Sequence, residues 1–462
     1  MSKEYRIIKS VPSDNIYWQE SKVTEGNLPS ETESCIVNIF PEITYQSILG
    51  FGGAFTEAAA YNYYLMSDSD KEKFLKAYFD PIDGIGYNFG RTHINSCDFS
   101  LDIYTYVKDG DKTLETFNID RDRKYIIPFI KDALKYIKDE LVLFASPWSP
   151  PAYMKDNESP IGGGSLKEEY KAVWAKYYTK YIKAYAEEGI KISAISVQNE
   201  PFAKQTWESC FYSAEDEGNF IKDYLIPALD EADLSDIKII IWDHNKERVY
   251  QRAKKTMEDK AVYDRVWAVG HHWYCGEHFD ALRLVYEQLG KPTISTEHCC
   301  PYHEEQEDIF AERYAKEMCE NFNNFDIAIC DWNLVLDQNG GPYHNRYNKQ
   351  VNEQRGVVEW EEKDCGCWAP IIYKADKKEL HLSPVYYYIG HFSKYVKRGA
   401  KRIATTKYTA ELEVAAFLNP DNTVATVIMN TTDKPLPLHL RYNDICTKTK
   451  IEAHSIITVI ID

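Results

Sequence analysis

Short apolar runs recur through the middle of the chain, and longer stretches with helical periodicity separate them. The runs cover residues 47–55, 87–95, 141–149, 191–199, 238–243, 266–273, 292–297 and 326–332. Helical segments, such as 125–139 and 166–188, carry the crossovers between successive runs. Alternation of this kind predicts parallel strands joined by right-handed connections. Eight strands are the number that closes a barrel, so a (β/α)8 barrel over 46–396 is expected ahead of a doubly wound open sheet.

The flanks follow a different pattern. Residues 1–45 read as irregular strands at 5–9 and 34–40. A loop over 337–382 follows the eighth run, long enough to carry function of its own, and then a Tyr-rich helix over 384–396. Five short alternating runs come last, at 402–407, 413–418, 423–429, 436–442 and 455–461, with turn signals such as Asn419-Pro-Asp-Asn. This spacing predicts an antiparallel β-sandwich over 397–462, completed by the strands of 1–45.

Hydrophobic residues make up 44% of the 462, enough for a sizeable core. The net charge of −18 argues against nucleic acid or an anionic membrane surface as partner. No apolar stretch is long enough to insert stably in a membrane, and no secretory h-region follows Met1. Eleven cysteines scattered through strands and helices read as free thiols in a reducing cytoplasm. The composition sets no oligomeric state.

A parallel barrel places its chemistry at the C-terminal ends of its strands. The run Ile195-Ser-Val-Gln-Asn-Glu-Pro brings Asn199 and Glu200 to such an end, where Pro201 stops the strand. Pro292-Thr-Ile-Ser-Thr-Glu-His does the same for Glu297. The other strand ends supply Glu57, Arg91, Asn95, Trp148, Asp243, His272, Trp273, Tyr274, Asp331, Trp332 and Asn333. Two carboxylates on separate strand ends, with amides and aromatic rings around them, suit an uncharged sugar and a glycosidic bond. In a retaining mechanism one acid must be ionised to attack, and the other must be protonated to donate to the leaving oxygen. Asn199 is placed to hydrogen-bond the sugar 2-hydroxyl, Tyr274 to hold the nucleophile, and Arg91 to favour an ionised carboxylate. Asp243 reads as a structural acid.

Several stretches resemble the glucosylceramidase family, glycoside hydrolase family 30. They are Gly50-Phe-Gly-Gly-Ala-Phe-Thr-Glu-Ala-Ala-Ala, Ser96-Cys-Asp-Phe-Ser, Ala145-Ser-Pro-Trp-Ser-Pro-Pro, Asn199-Glu-Pro, His272-Trp-Tyr, Asp331-Trp-Asn, Gly340-Gly-Pro and Gly390-His-Phe-Ser-Lys. The resemblance runs in order from about residue 46 to the C-terminus. It implies a barrel with a β-sandwich built from both chain ends, and a retaining reaction without a cofactor on glucosylceramide, β-1,6-glucan, xylan or fucosides; the expected cytoplasmic location favours a small β-glycoside or glycolipid over a polymer. It also implies Glu200 as acid/base and Glu297 as nucleophile. Trp148 and Trp332 would shape the sugar subsite, with His272 and Tyr274 beside the nucleophile. Glu57 stands where the lysosomal glucosylceramidases have Asp, and is expected to grip hydroxyls across the sugar ring. The extra methylene leaves glucose, galactose, xylose and fucose all open.

Two readings from other classes compete. His271-His272 and His298-Cys299-Cys300 with His303 invite a metal-dependent hydrolase, but neither they nor Cys365-Gly-Cys367 have the spacing of a tetrahedral site, so no metal is expected. A non-catalytic sugar-binding protein is disfavoured because both glutamates are retained.

Overall fold

The computed structural model describes residues 4–24, 28–29, 31–301, 306–344, 366–443 and 445–462. Eight parallel strands close into a barrel: β1 Gly50–Ala54, β2 Phe89–Ile94, β3 Val142–Pro147, β4 Ile192–Ser196, β5 Lys238–Asn245, β6 Val266–His272, β7 Thr293–Glu297 and β8 Asp326–Asn333. Strand β8 pairs with β1, which completes the ring and rules out the open sheet.

The barrel interior begins as an apolar floor of Phe89, Val142, Phe144, Ala194, Ile240, Ala268, Ile294, Ala328 and Cys330. Strand β1 adds no side chain here because it must lie tight against β2. A Cβ on Gly52 would fall 1.5 Å from the carbonyl oxygen of Phe89, so only glycine fits. The strand period of two then carries the chain from this floor to the site. Two residues beyond Phe89, Phe144 and Ala194 stand Arg91, Ser146 and Ser196, all buried on the same inward face. The floor thus gives way, one layer higher, to polar groups.

Both chain ends share the second sheet. Its nine strands run in the order Ile16–Thr24, Glu4–Val11, Ser455–Ile461, Val424–Asn430, Leu412–Leu418, Lys401–Lys407, Ile36–Ser47, Leu436–Tyr442 and Ile445–Ile451. One apolar cluster takes Tyr5 and Ile7 from near one end of that order and Leu438 and Leu440 from near the other, so the sheet closes over its own core. The helix Pro384–Ser393 joins this unit to the barrel, with His391 hydrogen-bonded to both Ser10 and Thr458.

Several features differ from the sequence reading. Strands Ile16–Thr24 and Ile445–Ile451 were not expected, and they are the two edges of the nine-stranded sheet. An edge strand keeps one side open and carries charged residues such as Glu20, Lys448 and Lys450, which dilutes its apolar alternation. The helix expected over 125–139 covers only Ile126–Leu134, and a separate short helix, Asp120–Lys124, precedes it. The 337–382 stretch carries structure: Val335–Asp337, Ile371–Lys374 and Glu379–Leu382 form a small sheet, and Cys367–Trp368 pairs with Cys300–Pro301. Residues 345–365 of that stretch, Cys365 among them, and His303 lie outside the described residues.

Candidate active site

Arg91 on β2 is the hub of the barrel mouth. Its Nη1 donates to Glu297 Oε2 at 2.6 Å, and its Nη2 donates to Asp243 Oδ2 and Asn199 Oδ1, both at 2.8 Å. Its Nε donates to Ser146 Oγ at 3.1 Å. The guanidinium carbon lies 4.6 Å from the Trp148 ring centre and 5.4 Å from that of Trp332. A cation with no solvent exposure requires such full satisfaction by fixed acceptors and ring faces.

Glu297 is the last residue of β7. Its Oε1 accepts from the Tyr274 hydroxyl at 2.8 Å, so both carboxylate oxygens hold a donor. Glu200 follows β4 in a turn that puts it at φ +47°, although the following proline favours extended backbone. Its N–H donates to Asp243 O at 3.0 Å and fixes the turn, and its Oε2 accepts from Gln205 Nε2 at 3.2 Å. Asn95 and Asp243, also at the mouth, have left-handed backbone too. Such strain gathers where surrounding structure imposes a geometry for use.

His272 lies between the two glutamates. Its Nδ1 is 3.4 Å from Glu200 Oε1 and 3.8 Å from Glu297 Oε1, and its Nε2 is 3.1 Å from Asp243 Oδ1. The other Asp243 oxygen accepts from Arg91, Ser196 and Ser146. Burial works against the imidazolium, but Glu297, Asp243 and Glu200 outweigh it and raise its pKa to about 10. Burial works equally against charge on Glu200, where the bond to His272 and the field of His244 prevail and hold it at about 2. Asp243 is likewise held well below the carboxylate range, since Arg91 and His272 overcome its burial. The two shifts favour opposite charges on His272 and Glu200.

Other expected residues are engaged by partners within the protein. Glu57 is buried, but Arg121 occupies its carboxylate at 2.5 and 3.1 Å and the Leu101 N–H at 2.9 Å. It is the acid of an ion pair under the 96–102 loop, with Arg121 also bonded to Asp102 at 2.7 Å. Trp148 and Trp332 are stacked with ring centres 5.2 Å apart, and they are 1% and 2% exposed. Their faces meet each other and Arg91, so they form a wall behind the acids rather than an open platform.

One residue at the mouth escaped the sequence reading. Asp98, in Ser96-Cys-Asp-Phe-Ser, has a buried Oδ1 without a hydrogen-bond partner. Burial, followed by the fields of Glu297, Glu208 and Glu200, pushes its pKa well up. It thus carries an unused acceptor within the electrostatic reach of both glutamates. The signal was present as the single acid of that motif.

A parallel barrel whose mouth holds two buried glutamates around one imidazole, with amide and aromatic neighbours, is the site of a glycoside hydrolase. Residues 48–396 match the glycosyl hydrolase family 30 TIM-barrel domain, and residues 399–459 match the family 30 beta sandwich domain. The chain belongs to glycoside hydrolase family 30. It is 32% identical over 425 residues to putative glucosylceramidase 3 of Caenorhabditis elegans, covering 88% of this chain and 77% of that one. The crystal structure of SrfJ from Salmonella typhimurium superposes with a TM-score of 0.91 at 33% identity over 99% of both chains. The endo-β1,6-glucanase BT3312 superposes at 0.85 with 27% identity, again over 99% of both chains.

Proposed function

We propose that the protein is a retaining β-glycosidase that releases terminal β-linked glucose, with Glu297 as nucleophile and Glu200 as acid/base. The observation that carries the assignment of roles is the unequal set of donors on the two acids. Glu297 is anchored through both oxygens by a buried cation and a hydroxyl, which aims it. Glu200 has a side-chain amide on one oxygen and the His272 imidazolium facing the other, so it sits next to a proton source.

The steps follow from that arrangement. The His272 Nδ1 proton passes to Glu200 Oε1 and from there to the departing glycosidic oxygen, while Glu297 attacks the anomeric carbon. Water then attacks the anomeric carbon, Glu200 takes its proton and returns it to His272, and the bond to Glu297 breaks with the sugar configuration retained. Asp243 holds the imidazole through Nε2, and Asn199, fixed by Arg91, faces the sugar 2-hydroxyl. Asp98 accepts from a sugar hydroxyl through its unpaired oxygen.

Glucose is favoured because two of the relatives are named a putative glucosylceramidase and an endo-β1,6-glucanase, both names of activities on glucosides. A small β-glucoside or glycolipid is the preferred substrate, and the free thiols of all ten cysteines among the described residues suit a reducing cytoplasm. Among the described residues no helix is long and apolar enough to cross a membrane. A second reading, cleavage within β-1,6-linked glucan, draws on a groove of about 470 Å³ lined by Phe202, Glu215, Glu247 and Arg248, of which Phe202 follows Glu200 by two residues in the chain. Aryl β-glucoside, β-xyloside, β-galactoside and β-fucoside, assayed beside a β-1,6-glucan oligomer, separate the two. The proposal requires the aryl glucoside to be cleaved best and Glu297→Gln to abolish it. Cleavage of the glucan alone would favour the second reading.

A further inference from the structure

A pair of thiols adjoins the nucleophile. Cys299 lies two residues past Glu297, and its Sγ is 3.0 Å from the Sγ of Cys367. Both are free and partly exposed. Strand pairing builds the contact: Cys300 opposes Trp368 and Pro301 opposes Cys367, which sets Cys299 and Cys367 as diagonal neighbours on one face. The Tyr274 hydroxyl that donates to Glu297 is 3.5 Å from the Cys299 sulfur. A disulfide bond is about 2.0 Å long, so closing the pair requires the sulfurs to approach by roughly 1 Å.

We infer that Cys299 and Cys367 form a reversible disulfide whose closure moves the Cys299 sulfur packed against the Tyr274 hydroxyl and so displaces that hydroxyl from its place on Glu297. The oxidant is a small-molecule disulfide, RSSR. One cysteine thiolate attacks it and expels RS⁻. The second attacks the cysteine sulfur of the mixed disulfide and expels another RS⁻. Two cysteine thiols are oxidised, RSSR is reduced to two RSH, and the cysteine protons end on the released thiols. The bond from Cys299, together with burial, pushes the Cys367 thiol well up, so exchange quickens on the alkaline side of neutrality. The effect on activity rests on Glu297 being the nucleophile, whereas formation of the bond does not.

The test is to incubate the reduced full-length protein with oxidised glutathione and read intact mass, peptide linkage and aryl-glucoside hydrolysis in parallel. The expected result is the loss of two hydrogens in mass and a Cys299–Cys367 linked peptide. With it comes a fall in kcat of about tenfold, the scale of weakening one bond to a charged group, reversed by dithiothreitol. Cys367→Ser should keep its activity in the oxidant. Glutathione found only on other cysteines, such as the exposed Cys275, would overturn the inference. So would a completed 299–367 link that leaves kcat unchanged. The mass reading stands even if another residue proves to be the nucleophile, so the two failures are distinct.

Discussion

His272 Nδ1 lies 3.4 Å from Glu200 Oε1, while the opposite edge of the same ring is held by Asp243 at 3.1 Å. The imidazole therefore faces two acids, one that fixes it and one that, in the mechanism proposed above, it protonates. The ionisation of the whole site follows from this pair.

The first prediction concerns that proton. His272 is raised to about 10 in the fold, against about 6.5 in an unfolded chain. Its contribution to stability is complete below pH 6.5 and is lost as pH rises toward 10. The Tm advantage of wild type over His272→Gln should shrink across that window. An imidazole resonance of His272 titrating near 6.5 would contradict the assignment.

Removing the acid should separate substrates by leaving group. Glu200→Ala is expected to lose about a hundredfold or more on alkyl glucosides, in the range for general acid catalysis, and far less on dinitrophenyl glucoside, which needs no proton. Azide should recover part of the rate. Equal losses on both substrates would count against the acid role.

Asp98 and Glu57 should part company. Asp98→Ala is expected to raise KM and lower kcat/KM by up to about tenfold, as loss of one hydrogen bond does. Glu57→Gln should act mainly on thermal stability, because it weakens the pair with Arg121 and leaves the sugar contacts in place. Steady-state kinetics and melting curves of both variants check this, and a larger kinetic loss at Glu57 would reverse it.

Asp243→Ala should cost stability as well as rate. It leaves Arg91 and the His272 ring short of a buried partner, a change worth about 3 to 5 kcal/mol. Urea denaturation measures it, and a loss below about 1 kcal/mol would show that the network around Arg91 is less buried than described.

Much of this was legible in the chain. The eight runs marked the barrel because strands buried in such a sheet are continuously apolar and separated by helices. Glu200 and Glu297 stood out because each ends such a run. What stayed hidden depends on through-space partners. Nothing near Glu57 in sequence announces Arg121, 64 residues away, and nothing near Cys299 announces Cys367. The protonation of His272 was likewise beyond reach, because Asp243, Glu200 and Glu297 meet it from three other strands. The edge strands were missed for a simpler reason, as their polar residues face water.

The central claim is tested most directly by trapping the covalent intermediate. An activated 2-deoxy-2-fluoro-β-glucoside slows release of the sugar from the enzyme, and peptide mass spectrometry then locates it. The account predicts a single fluoroglucosyl group on the carboxylate of Glu297. A label on Glu200, or no label together with an α-configured first product, would contradict it.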